Sequence, residues 1–307
     1  MSRFGPVPLL ALFVVSSVIA SSGACARRAV EGDTHTGHVM SPPSTAMTAV
    51  TPDDSSLPAG SGGVAARLAT SPRHGEWAMI RTGASDSVRA WVVYPERSTK
   101  APVVLVVHEI YGLSTWVRGV ADQLAADGFI AIAPDLLTGK VAPTPGSDTL
   151  TQAAASAAIR SLSSVDVHRQ LAAVGQYGMS LPAAERRYGI VGFCWGGSTS
   201  FMHAVAGPPG LVASVVYYGS SPADSVLSRV KVPVLGLYGG DDARVNATIA
   251  PAVAAMRSFG KSYESHTFAG AGHGFLRQQQ GMEGANLSAS RQAWPATLTF
   301  FRTHLGR

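Results

Sequence analysis

The sequence predicts an α/β fold, a mostly parallel, doubly wound sheet flanked by helices, and three observations predict it. Runs such as "APVVLVVHE" and "GFIAIAPD" are continuously apolar, as strands buried on both faces must be. A helix-spaced segment lies between those two runs, which makes a strand, helix, strand crossover. Two earlier runs, "WAMIR" and "RAWVVYP", alternate instead and read as an antiparallel pair at the start of the domain.

The remaining elements follow in order. In "STWVRGVADQLAADG", Ser114 is a candidate N-cap, Val117, Val120 and Leu124 hold helical spacing, and Gly128 is the stop. Residues 138–160 break the rhythm and are expected to cover a site. Then "RYGIVGFC", "LVASVVYYG", "KVPVLGLYGG" and "KSYESHTFAG" read as further strands separated by helical segments. A last helix, from about Gln292 to Leu305, closes the domain. Function in such sheets is expected in loops at the carboxyl ends of the strands.

Composition narrows the partners. The net charge of +5 is spread over a chain with only 14% charged residues and no Lys/Arg block, so no nucleic-acid partner is expected. Residues 1–26 read as an export signal: Arg3 precedes an apolar stretch from Val7 to Ala20, too short for a membrane span, and small residues follow. Cleavage after Ala26 and lipidation of Cys25 in a degraded lipobox both fit. The protein is therefore expected in the periplasm or cell envelope, touching membrane only through such a lipid anchor. Residues 27–70, rich in Ser, Thr, Pro and Gly, read as a flexible tether, and 71–307 as the folded domain. Loss or lipidation of Cys25 leaves Cys194 alone, so no intramolecular disulfide is expected.

Cys194 lies in "GIVGFCWGG", where a strand ends and a helix-compatible run begins. A nucleophile on such a turn needs small residues two before and two after it, and Gly192 and Gly196 stand there. The helix N-terminus favours negative charge on the sulfur. A cysteine nucleophile needs a base, and the base an orienting acid. His273, between glycines in "GAGHG", and either Asp241 or Asp242, in "YGGDDARV", follow strands in the required chain order. Glu109 emerges directly after a buried strand, which marks it for a role at the same edge. Its neighbour His108 reads as structural.

"HEIYGL", "GFIAIAPDLL", "GFCWGG", "YGGDDARV" and "GHGFLR", in this order across roughly residues 75–306, resemble dienelactone hydrolases of the α/β-hydrolase superfamily. The resemblance implies Cys194 as nucleophile, Asp242 as acid, His273 as base and Glu109 as a partner of the resting thiol that helps its activation. It places the oxyanion hole at the backbone N–H groups of Ile110 and Trp195. It matches Arg277 to an arginine that binds the substrate's carboxylate, with Arg160 and Arg169 as alternatives for a second. Tyr111, Trp195, Tyr217 and Tyr218 are placed to line a pocket. The expected enzyme is carboxymethylenebutenolidase-like, hydrolysing a small, anionic ester or lactone through a cysteine acyl-enzyme without metal or cofactor. A broad esterase or thioesterase, or a non-catalytic envelope binding protein of this fold, are the alternatives.

Overall fold

The alternating pair opens the sheet. In the computed structural model, which describes residues 54–141 and 146–306 together with Gly5, β1 (Gly75–Arg81) and β2 (Ser87–Val93) pair antiparallel with Trp77 opposite Trp91. The strands β3 (Ala101–Val107), β4 (Ile130–Pro134), β5 (Ala184–Phe193), β6 (Leu211–Tyr217), β7 (Val234–Asp241) and β8 (Tyr263–Gly272) follow. Among the described residues they form one eight-stranded sheet of order β1-β2-β4-β3-β5-β6-β7-β8. β2 meets β4 antiparallel, and every pair from β4 to β8 is parallel. The carboxyl ends of β3, β5, β7 and β8 therefore share one edge.

Helices α1 (Val64–Ala69), α2 (Thr115–Ala126), α3 (Gln152–Arg160), α4 (Ser164–Ser180), α5 (Trp195–Ala206), α6 (Asp224–Leu227), α7 (Ala243–Asn246), α8 (Ile249–Ser258) and α9 (Ala285–Leu305) connect and cover the strands. The period-two geometry of a strand explains why β3 is apolar throughout. Val104 and Val106 pack with Val117, Val120 and Trp294 on one face, while Val103, Leu105 and Val107 pack with Leu171, Val174 and Phe201 on the other. Ser114 caps α2 by accepting the Val117 N–H, and Gly128, at φ 95°, ends it as expected.

Two expectations need correction. Residues 54–70, read as tether, fold against the domain: Leu57, Ala59 and Val64 are buried, and Val64 fills the space left by Gly119 on α2. The Arg67 guanidinium secures the segment by donating to the carbonyls of Leu57 and Asp54 and to Gln123. These apolar residues show no period because they join the core of the domain singly, Val64 against α2, instead of forming a face of their own. Burying Leu57 and Val64 contributes about 3–6 kcal/mol, so the domain starts before residue 71.

The second correction is α9, which begins at Ala285 rather than near Gln292 and carries Pro295 inside it. Proline is best tolerated in a first turn, which is where a start at Gln292 would put it. Burial of Asn286, Ala289, Ser290 and Ala293 against the sheet overrides that preference. The signal segment, Cys25 and residues 27–53 lie outside the described residues, Gly5 apart. Among the described residues no helix is long and apolar enough to cross a membrane.

Candidate active site

β5 ends at Phe193 and α5 starts at Trp195, so Cys194 alone makes the turn. Its backbone sits at φ 55°, ψ −116°, a conformation that side chains rarely adopt and that costs about 1–3 kcal/mol. The turn is pinned on both sides: the Cys194 N–H donates to the Tyr217 carbonyl at 3.0 Å, and the Ser198 N–H donates to the Cys194 carbonyl at 3.1 Å. The glycine spacing has a steric cause. A Cβ at Gly192 would overlap the Gly196 carbonyl, and one at Gly196 would overlap the carbonyls of Val107 and His108. Cys194 is a free, half-buried thiol at a helix N-terminus, as the sequence predicts.

His273 follows β8, and Asp242 follows β7. The strands shift register between Gly239 and Asp241, and Asn246 donates to the carbonyls of Gly239 and Gly240, which fixes the bend before Asp242. The His273 Nδ1–H donates to Asp242 Oδ2 at 2.5 Å. Asp242 is buried and also caps α7 by accepting the Val245 N–H at 3.4 Å, whereas Asp241 is exposed. Spacing alone left the two aspartates open; the hydrogen bond separates them. The histidine loop is held from α9, where Asn286 accepts the Gly272 N–H at 2.9 Å.

His273 is pushed up to about 9. Burial works against its charged form, but hydrogen bonding and charge from Cys194 and Asp242 outweigh burial. A raised folded pKa stabilises the fold fully below the free value near 6.5, and the contribution is lost as pH rises through about 9. The melting-temperature advantage of wild type over His273→Asn should therefore shrink between about pH 6.5 and pH 9. A difference that stays constant across that range would rule out this linkage.

Glu109 is buried at the same edge, and its ionic partner is Arg277. Arg277 Nε lies 2.7 Å from Glu109 Oε2, with the N–H off the hydrogen-bond line, and the guanidinium carbon stands 5.4 Å from the centre of the Tyr111 ring. Burial pushes the Glu109 carboxyl up, and Arg277 and His273 oppose that shift. Of the alternatives for a second arginine, Arg160 is exposed, and Arg169 is bound to Asp86, Asp166 and the Thr82 carbonyl. Neither is brought to the site.

Neither the Ile110 nor the Trp195 backbone N–H has an acceptor among the described residues. Over them lies the segment expected to cover the site, of which residues 142–145 are outside the described set. Ala155 and Ile159 of α3 pack with Leu137 against Ile110 and Trp195, and Ser156 donates to the Ile110 carbonyl at 3.2 Å. Asp135 anchors its base by accepting from the N–H and the hydroxyl of Ser147, at 2.6 and 2.8 Å, while the Ser147 oxygen accepts the Leu113 N–H at 2.7 Å.

The tyrosines divide. Tyr217 hydrogen-bonds Thr297 in the core, whereas Tyr218, at φ 39°, sits edge-on to His273 with ring centres 5.1 Å apart. Burial first, then Glu109 and Cys194, push the Tyr218 hydroxyl well up, and Arg277 opposes them. A groove of about 880 Å³ lined by Ile249, Val253 and Arg257 contains none of these residues. Chemistry rather than concavity marks the site. Asp135 lies inside the "GFIAIAPDLL" motif, but nothing local says that it will hold Ser147, 12 residues further on.

The chain resembles proteins of one kind. A candidate carboxymethylenebutenolidase of Salmonella typhimurium is 29% identical over 250 residues, covering 72% of this chain and 85% of the relative. A candidate 2-oxo-3-(5-oxofuran-2-ylidene)propanoate lactonase of a Bradyrhizobium species is 29% identical over 245 residues, covering 75% and 94%. The crystal structure of a candidate dienelactone hydrolase from Klebsiella pneumoniae superposes with a TM-score of 0.66 at 25% identity, covering 76% of this chain and 99% of that one. Residues 88–305 match the model of the dienelactone hydrolase family, and the chain belongs to that family, hydrolases of ester or lactone bonds within the α/β-hydrolase superfamily.

Proposed function

We propose that the protein is an exported enzyme that hydrolyses a carboxylic ester or lactone through a Cys194 acyl-enzyme. The observation that carries this reading is the linked series Cys194, His273 and Asp242 at one sheet edge. Because Nδ1 of His273 faces Asp242, Nε2 is left for the thiol. With His273 raised to about 9, the thiol proton already rests on Nε2 at neutral pH; the Cys194 thiolate attacks the substrate carbonyl carbon, and the resulting oxyanion accepts from the Ile110 and Trp195 N–H groups. Collapse breaks the C–O bond, and the His273 proton goes to the leaving oxygen. Water then gives a proton to His273 and attacks the thioester; the C–S bond breaks, and the carboxylic acid and the restored pair of Cys194 thiolate and His273 imidazolium remain. Throughout, Asp242 holds the ring and stabilises its charged form.

Intact-protein mass after exposure to activated esters and lactones tests the mechanism. An acyl adduct mapped to Cys194 is the expected result, and turnover with no adduct at any time refutes the acyl-enzyme. Export is carried by the N-terminal residues alone, and cell fractionation of the full chain tests it.

A second reading, an esterase with no need of an anionic substrate, is favoured by one contact: Glu109 already compensates Arg277. Family resemblance supports carboxylate recognition instead. In that case Arg277→Ala should cost an acidic lactone roughly 2 kcal/mol, about 30-fold in kcat/KM, and a neutral ester little. Equal losses on both substrates establish the second reading.

A further inference from the structure

His108 stands between β3 and the residues that supply the first oxyanion donor, and it is wholly buried. Its Nε2 lies 3.3 Å from the backbone nitrogen of Leu136. An amide N–H can only donate, so Nε2 is the acceptor and carries no proton. The ring proton is therefore on Nδ1, which lies 2.8 Å from the Glu109 carbonyl oxygen and donates to it. Burial pushes the His108 pKa down, although Asp135 and the backbone hydrogen bonds oppose this, so the ring stays neutral in keeping with this pattern.

The Glu109 carbonyl belongs to the same planar peptide unit as the Ile110 N–H, and the two point in opposite directions. Holding one aims the other. A second donor, the Gly112 N–H at 3.2 Å, binds the same oxygen. Donation to a carbonyl also draws electron density through the amide and strengthens its N–H as a donor. On its other side, the His108 ring stacks on Trp195, with centres 5.5 Å apart and planes 19° from parallel. Trp195 carries the second N–H. One side chain thus touches both halves of the hole without reaching the reacting atoms.

We propose that His108 is a positioning residue of the oxyanion hole: the tautomer imposed by Leu136 aims and polarises the Glu109–Ile110 peptide, and the ring supports Trp195. This rests on the acyl-enzyme reading above. Its signature is selective. Acylation of Cys194 builds an oxyanion, whereas alkylation of the same sulfur at a saturated carbon does not.

The experiment compares p-nitrophenyl acetate and iodoacetamide as reagents for Cys194 in the full chain. His108→Phe keeps a flat ring against Trp195 but removes both nitrogens. Its acylation rate should fall roughly 10- to 100-fold, short of or equal to removing a donor outright, with KM and the alkylation rate little changed. His108→Asn, whose amide N–H can reach the Glu109 carbonyl, should recover part of the loss. Unchanged acylation in His108→Phe overturns the proposal, and so do equal losses in acylation and alkylation, which mark general damage to the site. Nitrogen-15 spectra of the wild type provide a measurement independent of either variant folding: the Nδ1–H tautomer should persist between about pH 5 and pH 9. An Nε2–H tautomer, or a ring that titrates in that range, overturns it. A wild type that hydrolyses ester with no adduct on Cys194 removes the underlying acyl-enzyme reading, a failure distinct from all of these.

Discussion

Alanine at position 194 is expected to abolish ester and lactone hydrolysis, by roughly 10⁴-fold or more, while the domain stays folded. The side chain it replaces is half-buried on a turn held by backbone bonds to Tyr217 and Ser198, so little packing is lost. What disappears is the nucleophile and one of the two partners that raise His273, whose pKa should fall in the variant. Glycine sharpens the test. At φ 55° it relieves strain that both cysteine and alanine bear, so Cys194→Gly should be inactive yet more stable than Cys194→Ala, by about 1 kcal/mol. Such a pair shows strain kept for function rather than for folding. Steady-state kinetics and denaturant titration of both variants decide it, and hydrolysis persisting in either removes Cys194 from the mechanism.

Asparagine at 242 should lower kcat by at least about 100-fold, and asparagine at 241 should scarcely change it. The buried Asp242 carboxylate places Oδ2 2.5 Å from the half-buried His273 Nδ1, whereas Asp241 faces solvent. An amide in place of the carboxylate leaves the imidazolium without its counter-charge and allows the wrong tautomer. The same amide oxygen can still accept the Val245 N–H, so the helix cap survives and the melting temperature should move little. Kinetics and thermal unfolding measured together separate the two effects. A larger loss in Asp241→Asn would show that the acid belongs one residue earlier.

Much of this site is legible in the sequence because it is written in local patterns. Gly192 and Gly196 flank Cys194 at the spacing a strand-to-helix turn demands, and His273 lies between glycines past the last strand. Partners distant in sequence are not legible. Nothing in "HGFLR" says that Arg277 will meet Glu109, since that contact depends on how β3 and the histidine loop come together. His108 reads as a core residue for the same reason: its partners are main-chain groups, which every residue has. Leu57 and Val64 hide among Ser, Gly and Pro because the core that buries them is distant in sequence, Gly119 of α2 in the case of Val64. α9 starts at Ala285, ahead of the expected Gln292, and carries Pro295 inside it, because local preference is weaker than burial of the helix face.

The Asp135 and Ser147 junction separates two kinds of inheritance in this domain. A stretch whose two ends are tied together can change length at slight expense, about 0.6 kcal/mol for each doubling of a flexible loop. Asp135 and Ser147 close such a stretch, so the number of residues between them can change while Leu113, bonded to the Ser147 oxygen, keeps its place beside the chemistry.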